Sequence, residues 1–133
     1  MPTFHTHQIS AALSQQVLKT VNSGFLTSSR LTFACTLTGA TGGTHIKAYM
    51  QTSIDGGSAW YDIACFAFTN TPGKKFLTVD PGKAVEAATD LTLFGLADNT
   101  ARSGFLGEAL RLGIDISGTY TGTPSLTIDY QTA

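Results

Sequence analysis

The chain carries little charge. Asp, Glu, Lys and Arg make up 13% of its 133 residues, about half the usual share, and nearly cancel to a net charge of −1. Lys74-Lys75 is the only adjacent basic pair, so no stripe of cations is available to line up on phosphates, and no nucleic-acid partner is expected. Long apolar runs are also missing. No segment approaches the roughly 18 residues of a membrane-spanning helix, so no membrane role is expected. The opening residues, MPTFHTHQIS, lack the basic start and apolar stretch of a secretory signal, which predicts a reducing compartment and reduced thiols.

Cysteine is scarce. The 2 cysteines, Cys35 in LTFACTLT and Cys65 in YDIACFAF, read as buried core thiols, with a cross-strand disulfide as the alternative. They lack a nearby His, so no zinc site is expected. His5 and His7 share one face of an extended chain, as solvated or interface residues rather than metal ligands. The 9 acids are scattered near turns or on the polar sides of strands, and no Ser nucleophile elbow or phosphate loop is present. No enzyme activity, metal or cofactor is expected.

Apolar residues that recur every second position dominate what remains. Leu31, Phe33, Cys35 and Leu37 alternate with Thr32, Thr36 and Thr38. Ile46, Ala48 and Met50 alternate with Lys47, Tyr49 and Gln51. Leu110, Leu112, Ile114 and Ile116 oppose Arg111 and Asp115, and Leu126, Ile128 and Tyr130 form a fourth set. This is the period of half-buried strands. Turn-rich stretches such as TGATGG, DGGSA, TPGKK, DPGK and GTYTGTP separate the runs. The pattern predicts an all-β antiparallel β-sandwich, jelly-roll or Ig-like, with short loops and at most one or two helical turns at residues 81–90. A hydrophobic share of 42% is ample for one core, because a chain this size buries roughly two-thirds of its unfolded surface.

Residues 1–15 hold few large apolar side chains and read as an extended N-terminal arm. Residues 16–133 then form a single sandwich domain. Residues 91–107, LTLFGLADNTARSGFLG, read as a strand followed by a core-capping loop, or as an apolar surface facing another subunit. The candidate interface residues are therefore Phe4, His5, His7, Leu93, Phe94, Leu96, Phe105 and Leu106.

The stretch TSIDGGSAW has the chemistry of a hairpin corner. Its Asp-Gly-Gly supplies positive φ, the Asp55 carboxylate can accept from its own turn, and Trp60 opens the returning strand. Ser53, Asp55, Gly57 and Trp60 resemble the Asp-box hairpin, Ser-x-Asp-x-Gly-x-Thr-Trp, with Ala59 where Thr is usual. Asp boxes recur in sialidases and other β-propellers as turn staples, usually away from the catalytic site. A single copy implies a hairpin rather than a propeller or a glycosidase.

A broader resemblance covers about two-thirds of the chain. The hairpin from Thr52 to Trp60, the run Gly104 to Arg111 that enters a strand (GFLGEALR), and the turn Gly118 to Gly122 (GTYTG) together resemble small virion proteins of tailed bacteriophages and prophages. The resemblance implies a structural part of a virion assembled in the host cytoplasm. Within that class the expected role is capsid decoration, or cement, as a homotrimer bound to the major capsid protein or other virion proteins. The alternatives are a tail, baseplate or fibre module, or a carbohydrate-binding or receptor-binding sandwich. A glycan reading draws on Tyr49, Trp60 and Tyr61 as stacking aromatics.

Overall fold

The structure, a computed structural model, describes residues 1–22, 30–39, 41–69, 71–83 and 92–132. Their strands, in chain order, are β1 (Thr3–Gln8), β2 (Leu13–Val21), β3 (Leu31–Thr38), β4 (Thr41–Gly42), β5 (His45–Ser53) and β6 (Tyr61–Phe68). After these come β7 (Gly73–Val79), β8 (Thr100–Ala101), β9 (Ala109–Ser117), β10 (Tyr120–Thr121) and β11 (Ser125–Thr132). All pairings are antiparallel. One sheet runs β1-β11-β3-β7, a second runs β2-β9-β5-β6-β8, and β4 and β10 form a small ribbon. Among the described residues there is no helix. Most of the helical turn expected at 81–90 lies outside them, and Asp80 to Lys83 is a turn in which the Gly82 amide donates to Asp80 Oδ1 at 3.0 Å.

The alternating runs become the strands they predict. Leu31, Phe33, Cys35 and Leu37 of the four-stranded sheet meet Ile46, Met50, Leu110, Leu112, Ile114 and Ile116 of the five-stranded sheet in one buried core. The arrangement is sandwich-like, with the apolar face of each sheet turned toward the other.

Residues 1–15 are not an arm. β1 pairs with β11 along the edge of the four-stranded sheet, and the second half of the segment enters β2, which pairs with β9. The physical reason is Phe4. A bulge between Thr3 and His5 adds one residue to the edge strand, and Phe4 is buried in the core, its ring 6.1 Å from Tyr130 in an edge-on contact. Ile9, past the other end of β1, is also buried, and its amide donates to the Pro124 carbonyl at 2.8 Å. Phe4 is thus a core residue rather than an interface residue.

Two other expectations change. The strand expected from residue 91 is absent over 92–99, which cross the outer face of the five-stranded sheet as successive turns before the short β8. Cys35 and Cys65 are both free and buried, so the disulfide alternative does not hold. Cys35 faces the core, whereas Cys65 pairs across from Tyr49, which alternates with the core residues of β5.

Candidate functional site

The hairpin between β5 and β6 is built by its own side chains. Ser53 Oγ donates to Asp55 Oδ1 at 2.8 Å and accepts from the Gly57 amide at 2.8 Å. Asp55 Oδ1 accepts from the Ala59 amide at 2.9 Å, and Trp60 Nε1 donates to the Gly57 carbonyl at 3.1 Å. Gly56 and Gly57 take φ of 73° and 97°, which a side chain would strain. The amide of Ala59 and the hydroxyl of Ser53 hold the Asp55 carboxyl below the usual carboxylate range. Ser53, Asp55, Gly57 and Trp60 therefore sit together as a closed turn.

The hairpin is tied to the β9 entry. Gly107 donates its amide to Thr52 Oγ1 at 2.9 Å, and Thr52 Oγ1 donates to the Ala109 carbonyl at 2.9 Å. A Cβ on Gly107 would lie 1.7 Å from the Ser53 carbonyl oxygen, so only glycine lets the two backbones meet. Leu106 is buried in the core here and is not part of an open interface. Phe105 is half-buried, its ring edge-on to Tyr61 with centroids 5.9 Å apart.

Beyond the hairpin lies a chain of side chains on the outer face of the five-stranded sheet. The Arg111 guanidinium sits 4.5 Å from the Trp60 ring centroid, and Arg111 Nε donates to Gln51 Oε1 at 2.6 Å. Gln51 Nε2 donates to Asp62 Oδ1 at 2.8 Å. Gln51 and Asp62 are buried. Burial draws the Arg111 guanidinium below its ordinary range, and the negative charge of Asp62 opposes that shift.

The Asp62 carboxylate then takes three backbone amides from the segment 92–99. The Phe94 amide reaches Oδ1 at 3.2 Å, and the Gly95 and Leu96 amides reach Oδ2 at 2.9 and 3.1 Å. Phe94 adopts a φ of 57°, a left-handed conformation unusual for a bulky residue. Its ring lies over Gly113, where a Cβ would come within 2.6 Å, and meets Tyr49 edge-on with centroids 5.2 Å apart. Tyr49 is 3% exposed as a result, and burial pushes its phenol pKa up.

The expected aromatic row is therefore dismantled. Tyr49 lies under the 92–99 segment, one face of Trp60 is occupied by Arg111, and Tyr61 packs on Phe105. Of the expected interface residues, Leu93 remains 40% exposed, while Phe94 and Leu96 are half-buried. His5 and His7 are half-buried on β1, and burial draws both imidazoles below their ordinary pKa, with Lys19 adding to the effect on His5.

Two features were not anticipated from sequence. Phe76, on the edge strand β7, is 59% exposed. A polar groove of about 250 Å³ lies between His45, Lys47, Phe68, Lys75, Asp98 and Asn99. Its cations are already engaged: Lys47 pairs with Asp98 at 3.0 Å, and Lys75 Nζ donates to the Ala67 carbonyl at 2.5 Å and to Asn99 Oδ1 at 3.1 Å. Among the described residues, no group of three His, Cys, Asp or Glu side chains is placed to hold a metal ion. Comparison of the chain with protein-family models, with curated proteins and with solved structures finds no match.

Proposed function

We propose that the chain is a virion structural protein of a tailed bacteriophage or prophage, of the decoration type, bound in many copies to the outer surface of the capsid. The major capsid protein is the proposed partner, a homotrimer the proposed form, and the jelly-roll or Ig-like subtype of sandwich belongs to the same proposal. One observation carries it: the three motifs of the virion resemblance bracket a single strand pair. Thr52 to Trp60 and Gly104 to Arg111 meet at one end of β5 and β9 through Thr52, Ser53, Gly107 and the Trp60–Arg111 stack. Gly118 to Gly122 close the other end, where the Tyr120 hydroxyl donates to the His45 carbonyl at 2.8 Å and Gly118 packs against Thr44.

The chemistry supports a mechanical role. A cement protein must hold its shape while contacting neighbours, which needs paired strands, few long loops and some exposed apolar surface. Leu93, Phe76 and Ile54 supply such surface. A glycan-binding role has less support, because Tyr49 is buried and a sugar platform needs open aromatic faces. A tail, baseplate or fibre module stays as the alternative within the same virion reading.

The test is to measure the mass of the purified protein in solution and then mix it with emptied, undecorated capsid shells of tailed phages. Saturable binding at a fixed number of copies per shell is the expected result. A protein that ignores such shells but co-sediments with tails moves the assignment to the tail, and one that binds neither overturns the virion reading.

A further inference from the structure

We propose that residues 92–99 form a releasable strap, whose three consecutive amides make an anion-binding nest that Asp62 fills, and that the Trp60 hairpin holds the latch through Arg111 and Gln51. The nest is geometric. The amides of Phe94, Gly95 and Leu96 converge on one carboxylate, and the left-handed φ of Phe94 turns them to the same side, the arrangement by which backbone concavities bind anions. Asp62 supplies the anion from β6, and its fourth hydrogen bond, from Gln51 Nε2 at 2.8 Å, fixes the carboxylate plane.

Gln51 has no freedom of its own. Its amide oxygen is held by Arg111 Nε at 2.6 Å, and Arg111 is held in turn by the Trp60 ring. The order of dependence is therefore Trp60, Arg111, Gln51, Asp62, strap. These links run through side-chain contacts across β6, β5 and β9. The strap's first half sits on the sheet through Phe94, above Gly113 and against Tyr49, and through the carboxylate, while its far end is anchored by the Lys47–Asp98 ion pair and by Asn99 Oδ1, which accepts from the Ala67 amide at 3.0 Å.

A bulky residue at positive φ stores strain, which the three charge-assisted hydrogen bonds and the Phe94–Tyr49 contact offset. When the strap lifts, it uncovers Tyr49, Cys65 and Gly113 beside Arg111, replacing a covered face with an aromatic and polar one. The device is separate from the virion assignment, since it concerns the isolated chain.

Amide hydrogen exchange read by NMR tests it. Asp62→Ala is expected to speed exchange at Phe94, Gly95 and Leu96 by about tenfold or more, while the Ile114 and Leu112 amides of β9 stay protected. Added formate, which can enter the vacated nest, is expected to slow those three amides again. Unchanged exchange in a folded Asp62→Ala protein overturns the latch, and indifference to formate overturns the nest. Gln51→Leu removes the middle link without removing the carboxylate. Faster strap exchange with an unchanged β9 supports the proposed chain of control, and unchanged strap exchange overturns it. The Gln51→Leu arm decides the matter alone if Asp62→Ala does not fold.

Discussion

Arg111 lies over the ring of Trp60, its guanidinium carbon 4.5 Å from the ring centroid, and this contact joins the two ends of a sequence gap of fifty residues. It ties the hairpin after β5 to the strand β9 that pairs with β5 on its other side. Arg111 also feeds the buried Gln51 and Asp62 pair. Arg111→Ala removes both the stack and the donor, leaving the buried Gln51 oxygen without a partner. The expected cost is about 1–3 kcal/mol in chemical denaturation. Arg111→Lys keeps the charge but loses the planar fork, and is expected to recover less than half of it. Equal stability for Arg111→Ala and the native chain would remove this contact from the account of the fold.

Gly107 predicts a larger effect from a smaller change. A single added Cβ would lie 1.7 Å from the Ser53 carbonyl oxygen, and backbone atoms on both sides leave nothing to rotate away. Gly107→Ala must push the β9 entry off the hairpin and break the Gly107 amide bond to Thr52. The expected loss is about 3 kcal/mol, at the upper end of overpacking costs. Gly56→Ala serves as the comparison, because space around that residue is open and only its positive φ resists a side chain. Its expected loss is about 1 kcal/mol.

How much of this was legible follows from where the period of two survives. β3, β5, β9 and β11 show clean alternation in the sequence, and they form the centre of both sheets. β1 and β2 were hidden by bulges. The extra residue at Phe4 breaks the rhythm of TFHTHQ, and two register shifts in β2 scatter the apolar residues of LSQQVLKTV. Asp55 announced its role because its ligands are local in sequence. Asp62 did not, because its partners are three backbone amides more than thirty residues away, and backbone donors carry no side-chain signature. The same holds for Gly113, whose need for a bare Cα is set by the ring of Phe94 above it.

The edge strand β1 should respond to acid. Burial lowers the pKa of His5 and His7, with Lys19 adding to the effect on His5 and His5 adding to that on His7, so the folded state prefers both imidazoles neutral. A proton then binds more readily to the unfolded chain, whose imidazoles titrate near 6.5. Stability from these groups is full above that value and falls as pH drops through the window down to the lowered folded values. Thermal melts of the native chain and of a His5→Gln, His7→Gln variant check this. The variant is expected to lose less stability than the native chain between neutral and mildly acidic pH, and parallel curves would rule out the histidines as the cause.

Neither thiol should react in the folded protein. Cys35 is fully buried in the core, and Cys65 lies beneath the outer face with its pKa pushed up to about 11 by burial. Nucleophilic thiolate is therefore scarce at neutral pH even where a reagent can reach. Labelling with a thiol-specific reagent is expected to proceed only with unfolding, at two equivalents per chain in denaturant. The strap adds a finer expectation. Because Cys65 sits on the face that Asp62 and the 92–99 segment cover, Gln51→Leu should accelerate labelling of Cys65 and leave Cys35 unaffected.

Phe76 separates stability from assembly. It is 59% exposed on the edge strand β7, its ring under the Lys74 ammonium at 5.7 Å and paired across from Ala34 on the solvent side of the sheet. Little apolar area is withdrawn from water there, so Phe76→Ser should change the unfolding free energy by less than about 0.5 kcal/mol. An exposed aromatic on an edge strand is otherwise a liability, since unpaired edges recruit other chains unless charge guards them. Lys74 and Lys75 provide that charge on the same strand. If the chain works by binding a shell, Phe76→Ser lowers the number of copies bound while the melting curve stays in place. Loss of stability without loss of binding would place Phe76 in the fold's own packing and leave Leu93 as the residue of the expected interface set to test next.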